Sequence, residues 1–186
     1  MSDDNIARAV VAWAEPRHLD QAHLDRWLAL DAYSAAVILD AASHLRLRVG
    51  QLQSALEMLE EIALVEGTQV SAVLARAPLK RILEGVGPAP ARARAFVDEV
   101  RTMRFPRLAR ALEQLKAKVA ELKLPRTVFL ALPKDLGSDE LRIEIRVRSA
   151  GEFKDSLRKL AEKADDVERI LDLLGGGNFR QEFSNR

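Results

Sequence analysis

Leu141-Arg142-Ile143-Glu144-Ile145-Arg146-Val147-Arg148 alternates apolar and charged residues without a fault. A period of two puts the four aliphatic side chains on one face of a strand and the four charged ones on the other. The stretch therefore predicts a half-buried β-strand with one solvated face. Upstream, residues 127–132 form a short apolar, partly β-branched run, and residues 133–138 between them hold the turn formers Pro, Asp, Gly and Ser. Together they predict a hairpin. No other strand signal occurs, and the rest of the chain reads as helix. The expected fold class is α+β, mostly helical: a helical N-terminal half followed by a helix–β-hairpin–helix dimerisation half.

A lone two-stranded hairpin is marginal in water and needs further strands or a packed helix. Ser149 can cap a helix downstream whose apolar positions Phe153, Leu157, Leu160, Ala164, Val167, Leu171 and Leu174 are spaced 4, 3, 4, 3, 4, 3. That seam covers about three heptads, near the length that suggests a coiled-coil partner. Either the helices cover the hairpin within one chain, or two chains pair hairpin to hairpin and helix to helix. One hairpin exposes two edges and the chain offers no third strand, which favours a homodimer. The dimerising residues would be Leu141, Ile143, Ile145, Val147, Phe153, Leu157, Leu160, Val167, Leu171 and Leu174. Three glycines, 175–177, stop the helix, and residues 176–186 read as a loose tail.

Working back, helices are expected at 107–123, with Leu108, Leu112, Leu115, Val119 and Leu122 as its seam, and at 91–104. Residues 85–90 (Gly-Val-Gly-Pro-Ala-Pro) cannot continue a helix and predict a boundary. The division expected is a helical domain over 1–86 and a helix–hairpin–helix domain over 91–175. In the first, Ile6, Val10 and Trp13 share a face of a helix over 5–14. Further helices fit 20–28, 51–66 and 78–84, and one that Asp31 can cap. Gly67 is the stop expected after 51–66, and Thr68 a cap for 69–76. Helix, tight turn and helix over 51–76 can form a helix-turn-helix whose second helix would present Gln69 and Ser71.

The 186 residues suit one domain or two small ones, and a 5% aromatic content makes the core aliphatic. With no cysteine, disulfides, thiolate catalysis and Cys-based zinc sites are excluded. There is no apolar run long enough to span a bilayer and no basic leader, so a cytoplasmic protein without membrane contact is expected. The net charge of +1 hides a segregation. Residues 1–66 carry five Lys or Arg against eleven Asp or Glu, whereas residues 101–126 carry eight against two. Arg101, Arg104, Arg107, Arg110, Lys116, Lys118, Lys123 and Arg126 are candidates for sequence-independent phosphate contact, although a solvated basic helix has the same composition. His18, His23 and His44 lack metal-ligand or triad spacing, and no phosphate-binding glycine loop or nucleophile elbow occurs. No enzyme and no cofactor are expected.

Arg104-Phe105-Pro106-Arg107-Leu108, the helix after it, Leu122-Lys123-Leu124-Pro125, and the 141–148 strand followed by Ser149-Ala150-Gly151-Glu152-Phe153 together resemble the C-terminal region of ParB-type DNA partition proteins. Residues 48–75 are similar to the helical region that precedes it, so the likeness covers 45–174. It implies centromere-like DNA binding, a dimerising end in which hairpins pair, and work beside a partner partition ATPase. The family's nucleotide-binding module, with its Gly-Glu-Arg-Arg motif, has no counterpart here, so CTP hydrolysis and clamp closure are not implied. The expected function is a non-enzymatic, dimerising DNA-binding protein. A homodimeric helical scaffold that binds another protein is the alternative.

Ile143→Asp places a charge on the apolar strand face. It is expected to dissociate a dimer or unfold the C-terminal half, read by light scattering and circular dichroism. A soluble, unchanged oligomer would show that the face is not buried.

Overall fold

The computed structural model describes residues 3–133 and 140–175. The chain is mostly helical, with one small antiparallel hairpin, and separates into two compact units that part between Phe105 and Pro106. No helix among the described residues is long and apolar enough to cross a membrane. The turn expected over 133–138 falls almost wholly, and the tail expected over 176–186 entirely, outside the described residues.

The first unit is all helix. α1 (Asp3–Ala14) buries Ile6, Val10 and Trp13, the face that helical spacing predicts. Asp20 and Asp31 end the following turns by accepting the backbone N–H of His23 and of Ser34, which caps α2 (Gln21–Leu28) and α3 (Ala32–His44). α4 (Val49–Glu66) stops at Gly67, whose φ of 63° is the left-handed conformation that glycine tolerates. Against α4 pack α2, α5 (Val70–Leu74) and α7 (Ala89–Arg104). Leu52, Leu56, Leu59 and Ile62 form its buried seam. Each such side chain contributes about 1.5–3 kcal/mol by leaving water. Trp27 is fully buried, donates its indole N–H to the carbonyl of Ala35, and meets Trp13 edge to face at 5.5 Å.

Two expectations are corrected in this unit. The helix after Gly67 is only five residues long, with Gln69 rather than Thr68 at its N-cap position. It ends at Leu74, because Arg76 is extended and serves as the N-cap position of α6 (Ala77–Glu84), which carries Pro78 in its first turn. The domain boundary also moves. The helices are interrupted only over 85–88, with Ala89 and Pro90 opening α7, and α7 folds back on α4 and α6 and places Ala93, Phe96 and Val100 in the same core as Val10 and Leu56. The half-buried Arg92 guanidinium locks that return. Its Nε and Nη2 donate to the carbonyl of Ile82 at 3.1 and 3.0 Å, and Nη2 also to that of Leu83 at 2.6 Å, occupying orphan carbonyls at the end of α6.

The second unit opens with α8 (Pro106–Glu121), followed by Leu122, which is buried, and Lys123, at a φ of 50°. β1 (Val128–Ala131) then pairs antiparallel with β2 (Arg142–Ile145), Val128 facing Ile145 and Leu130 facing Ile143. Each strand is shorter than its sequence pattern. Pro125 and Pro133 bracket β1. Beyond β2 the Arg146 N–H still reaches the Thr127 carbonyl, but the Arg148 N–H is taken by the Glu152 carboxylate and Ser149 caps α9 (Ala150–Ala161). Leu141 and Val147 therefore flank the strand instead of belonging to it.

The seam from Phe153 to Leu174 is not one helix. It breaks at Glu162–Lys163, where the Lys163 N–H takes the Leu160 carbonyl three residues back, and α10 (Ala164–Gly175) starts afresh. Leu115 and Leu122 pack with Val167, Ile170 and Leu174 as the buried core, with Leu130, Leu132, Leu141 and Leu160 against it. Phe153 and Leu157 take no part in that core and are 46% and 42% exposed. The Thr127 and Ser156 hydroxyls, 2.6 Å apart, tie the start of the hairpin to α9.

Arg92→Ala is expected to lower the unfolding free energy by about 1–3 kcal/mol in a urea titration, the cost of stranding partly buried carbonyls. Arg92→Lys should recover less than half, since an ammonium lacks the fork that spans both carbonyls. A change below about 0.5 kcal/mol would show that apolar contacts alone hold α7 in place.

Candidate nucleic-acid interface

α8 carries two chemistries on adjacent faces. Ala111 and Leu115 are buried and Leu108, Leu112 and Val119 partly so, which fixes the helix on its core. At 100° per residue, Arg107, Arg110, Gln114 and Lys118 fall together on one flank, and all four are exposed. The row runs about 16 Å along the axis at 1.5 Å per residue. Among the described residues, none of its three cations has a carboxylate partner. Lys116 lies on the other flank, where Glu113 accepts from its ammonium at 2.7 Å. Lys123 and Arg126 follow the helix end and are exposed. Unpaired cations in a row are suited to a phosphate backbone, because they lose no existing ion pair on contact.

The other basic residues named from sequence belong to the first unit. Arg104 donates to Glu61 at 2.5 Å, and its guanidinium lies 4.8 Å from the centre of the Phe105 ring. Its charge is thus already partnered, whereas Arg101 is exposed. The helix-turn-helix contact is corrected more sharply. Ser71 is 7% exposed and donates its N–H to the hydroxyl of the fully buried Ser34, so it lies in the core and not on a surface. Gln69 is exposed, but the five-residue helix behind it also buries Val70, Val73 and Leu74. A recognition helix needs an exposed, groove-length face, and α5 lacks one.

A different polar cluster emerges in the first unit. The His23 ring meets Asp20 through Nδ1 at 2.7 Å and Glu57 of α4 through Nε2 at 3.1 Å. Arg26, one turn on, donates to Glu60 at 2.5 Å and reaches Glu57 at 3.5 Å, and Gln53 donates to Asp20. Sequence alone shows the parts, Asp20/His23/Arg26 on α2 and Gln53/Glu57/Glu60 on α4, each at helical spacing. That the two faces meet is decided by packing. The hydrogen bond to Asp20, helped by Glu57, raises the His23 pKa above its ordinary value against the opposing effect of burial. The same hydrogen bond, with the backbone N–H of His23, holds Asp20 down at about 2.

The cluster staples helices and presents no nucleophile. Among the described residues, no group of three His, Cys, Asp or Glu is placed to hold a metal. An open depression of about 300 Å³ beside α1 is lined by Asp3, Asp4 and Asp31 around Ile6, Leu28 and Leu30, and it has no base or nucleophile pair. No protein-family model, curated protein or solved structure matches this chain.

The staple makes stability depend on pH with a definite sign. Both ring nitrogens of His23 face carboxylate oxygens, an arrangement only the imidazolium fills with two donated bonds. Because its folded pKa is raised, its contribution is fully present below the unfolded value of about 6.5 and is lost as pH rises through the folded one. The thermal unfolding midpoint is therefore expected to fall as pH rises across that window in the native chain, with a flatter dependence in His23→Gln. An equal slope in both proteins would assign the pH dependence elsewhere.

Proposed function

We propose that this chain binds the sugar–phosphate backbone of DNA through the exposed flank of α8, without enzymatic activity and without base readout. The observation that carries the reading is the row Arg107, Arg110 and Lys118, aligned, exposed and without a carboxylate partner among the described residues, with Lys123 and Arg126 continuing the positive charge. Such a surface attracts phosphate by charge and counterion release, and it reads no sequence. The burial of Ser71 removes the side chain that a helix-turn-helix would aim at bases, so sequence preference is not part of the proposal. A role alongside a partition ATPase belongs to the same reading, as an implication of the ParB resemblance.

A second reading is favoured by a separate observation. Phe129, Ile143, Phe153, Leu157 and Leu171, all in the second unit, are each about 40% exposed. A scaffold that docks a protein would use such surface, and its binding would survive added salt, because apolar burial is not screened.

Anisotropy titration of the whole protein with a short random-sequence duplex separates the two. With three to five phosphates contacted, affinity is expected to fall roughly 40- to 500-fold between 50 and 200 mM salt. Arg107→Glu combined with Arg110→Glu and Lys118→Glu should weaken binding at least tenfold, with helix content unchanged by circular dichroism. Binding that ignores both salt and the triple substitution would overturn the proposal.

A further inference from the structure

We infer that the solvent-facing side of the hairpin binds single-stranded DNA, with one base stacked on Phe129 and the neighbouring phosphates held by Arg142 and Arg146. Val128 faces Ile145 and Leu130 faces Ile143 on the apolar side, so the pleat puts Phe129 and Ala131 on the other, opposite Glu144 and Arg142. Arg146 continues that side, because its N–H still bonds to the Thr127 carbonyl at 2.8 Å. All five residues are exposed. Phe129 is the single aromatic among them. The Arg146 guanidinium lies over its ring, 5.0 Å from the centre, yet Phe129 is 44% exposed.

Phenylalanine on a solvated strand face forgoes the burial that stabilises it elsewhere. Its cross-strand neighbours are charged: Glu144 lies directly across, and Arg142 and Arg146 lie on the two diagonals. Nor does Phe129 extend the apolar surface around Ile143, which belongs to the opposite face of the hairpin. A ring set between guanidinium groups is instead suited to a nucleobase, which stacks on it whatever its identity while the cations meet the phosphates. Arg142 and Arg146 stand about 14 Å apart along the strand at 3.4 Å per residue, one on each side of the ring. Glu144 accepts from Arg146 at 2.6 Å, whereas Arg142 has no ion pair among the described residues and is left to meet a phosphate. A duplex already stacks and pairs each base, so only an unpaired strand offers a free base face without flipping.

The site is separate from α8 and shares with the proposed function only DNA as the ligand. Its test is fluorescence anisotropy of the whole protein with a labelled single-stranded thymidine 12-mer, beside the random-sequence duplex. Phe129→Leu keeps an apolar side chain but removes the stacking face. It should weaken 12-mer binding roughly 5- to 150-fold and leave duplex affinity within about twofold. Phe129→Trp, with a larger face, should bind the 12-mer at least as tightly as the native chain. Arg142→Ala should reduce the log–log salt slope for the 12-mer by about 0.7, the loss of one phosphate contact on a single strand. A 12-mer that binds and needs Phe129, with no duplex binding at all, would sink the α8 reading and uphold this one. Three outcomes would overturn the inference: no 12-mer binding by the native chain, equal binding by Phe129→Leu, or tighter binding of a polyglutamate peptide of equal length.

Discussion

Aliphatic burial along helix seams is the constraint on which both units depend. With few aromatic rings available, neither unit can rest on a large stacked core, and each is organised by a row of leucine, isoleucine and valine. In the first unit that row is Leu52, Leu56, Leu59 and Ile62 of α4, against which α2, α5 and α7 lie. In the second it is Leu115 and Leu122 meeting Val167, Ile170 and Leu174. The two tryptophans are the exception, and they lock α1 to α2 where the aliphatic row does not reach.

The polar features follow from where those seams put the helices. Seating α2 on α4 brings His23 between two carboxylates, and folding α7 back onto α6 places the Arg92 fork on the free carbonyls of its neighbour. Seating α8 by Ala111 and Leu115 leaves the neighbouring flank in water, where Arg107, Arg110 and Lys118 have no carboxylate partner among the described residues. The candidate interface is thus the flank of a packing surface. Its exposure has the same cause as the burial that fixes it.

In the hairpin, local pattern and tertiary cover disagree in extent. The alternation over 141–148 is real in direction, since every charged residue of the stretch is exposed while Leu141, Ile145 and Val147 are partly buried. Only four of its residues form β2, because Ser149 and Glu152 recruit the chain into α9 at once. The helix seam beyond shows the complementary lesson. Its 4-3 spacing runs unbroken through Glu162 and Lys163, with neither glycine nor proline to mark the break, yet the chain turns there. Periodicity records which residues prefer an apolar face, and it does not record whether one rigid helix presents them.

The sequence by itself determined the helix caps at Asp31 and Ser149, the stop at Gly67, the hairpin with its two faces, and the mostly helical class. Each of these depends on a side chain acting on backbone within a few residues of itself, so no distant partner is required. Only the tertiary structure decided that 85–88 is an internal bend and not a domain boundary, that Ser71 is core, that Arg104 is already paired with Glu61, and that His23 faces Glu57. Those outcomes depend on contacts between helices that are remote in the chain. Local spacing carries no information about such contacts, because the free energy that selects them comes from burying whole faces against one another.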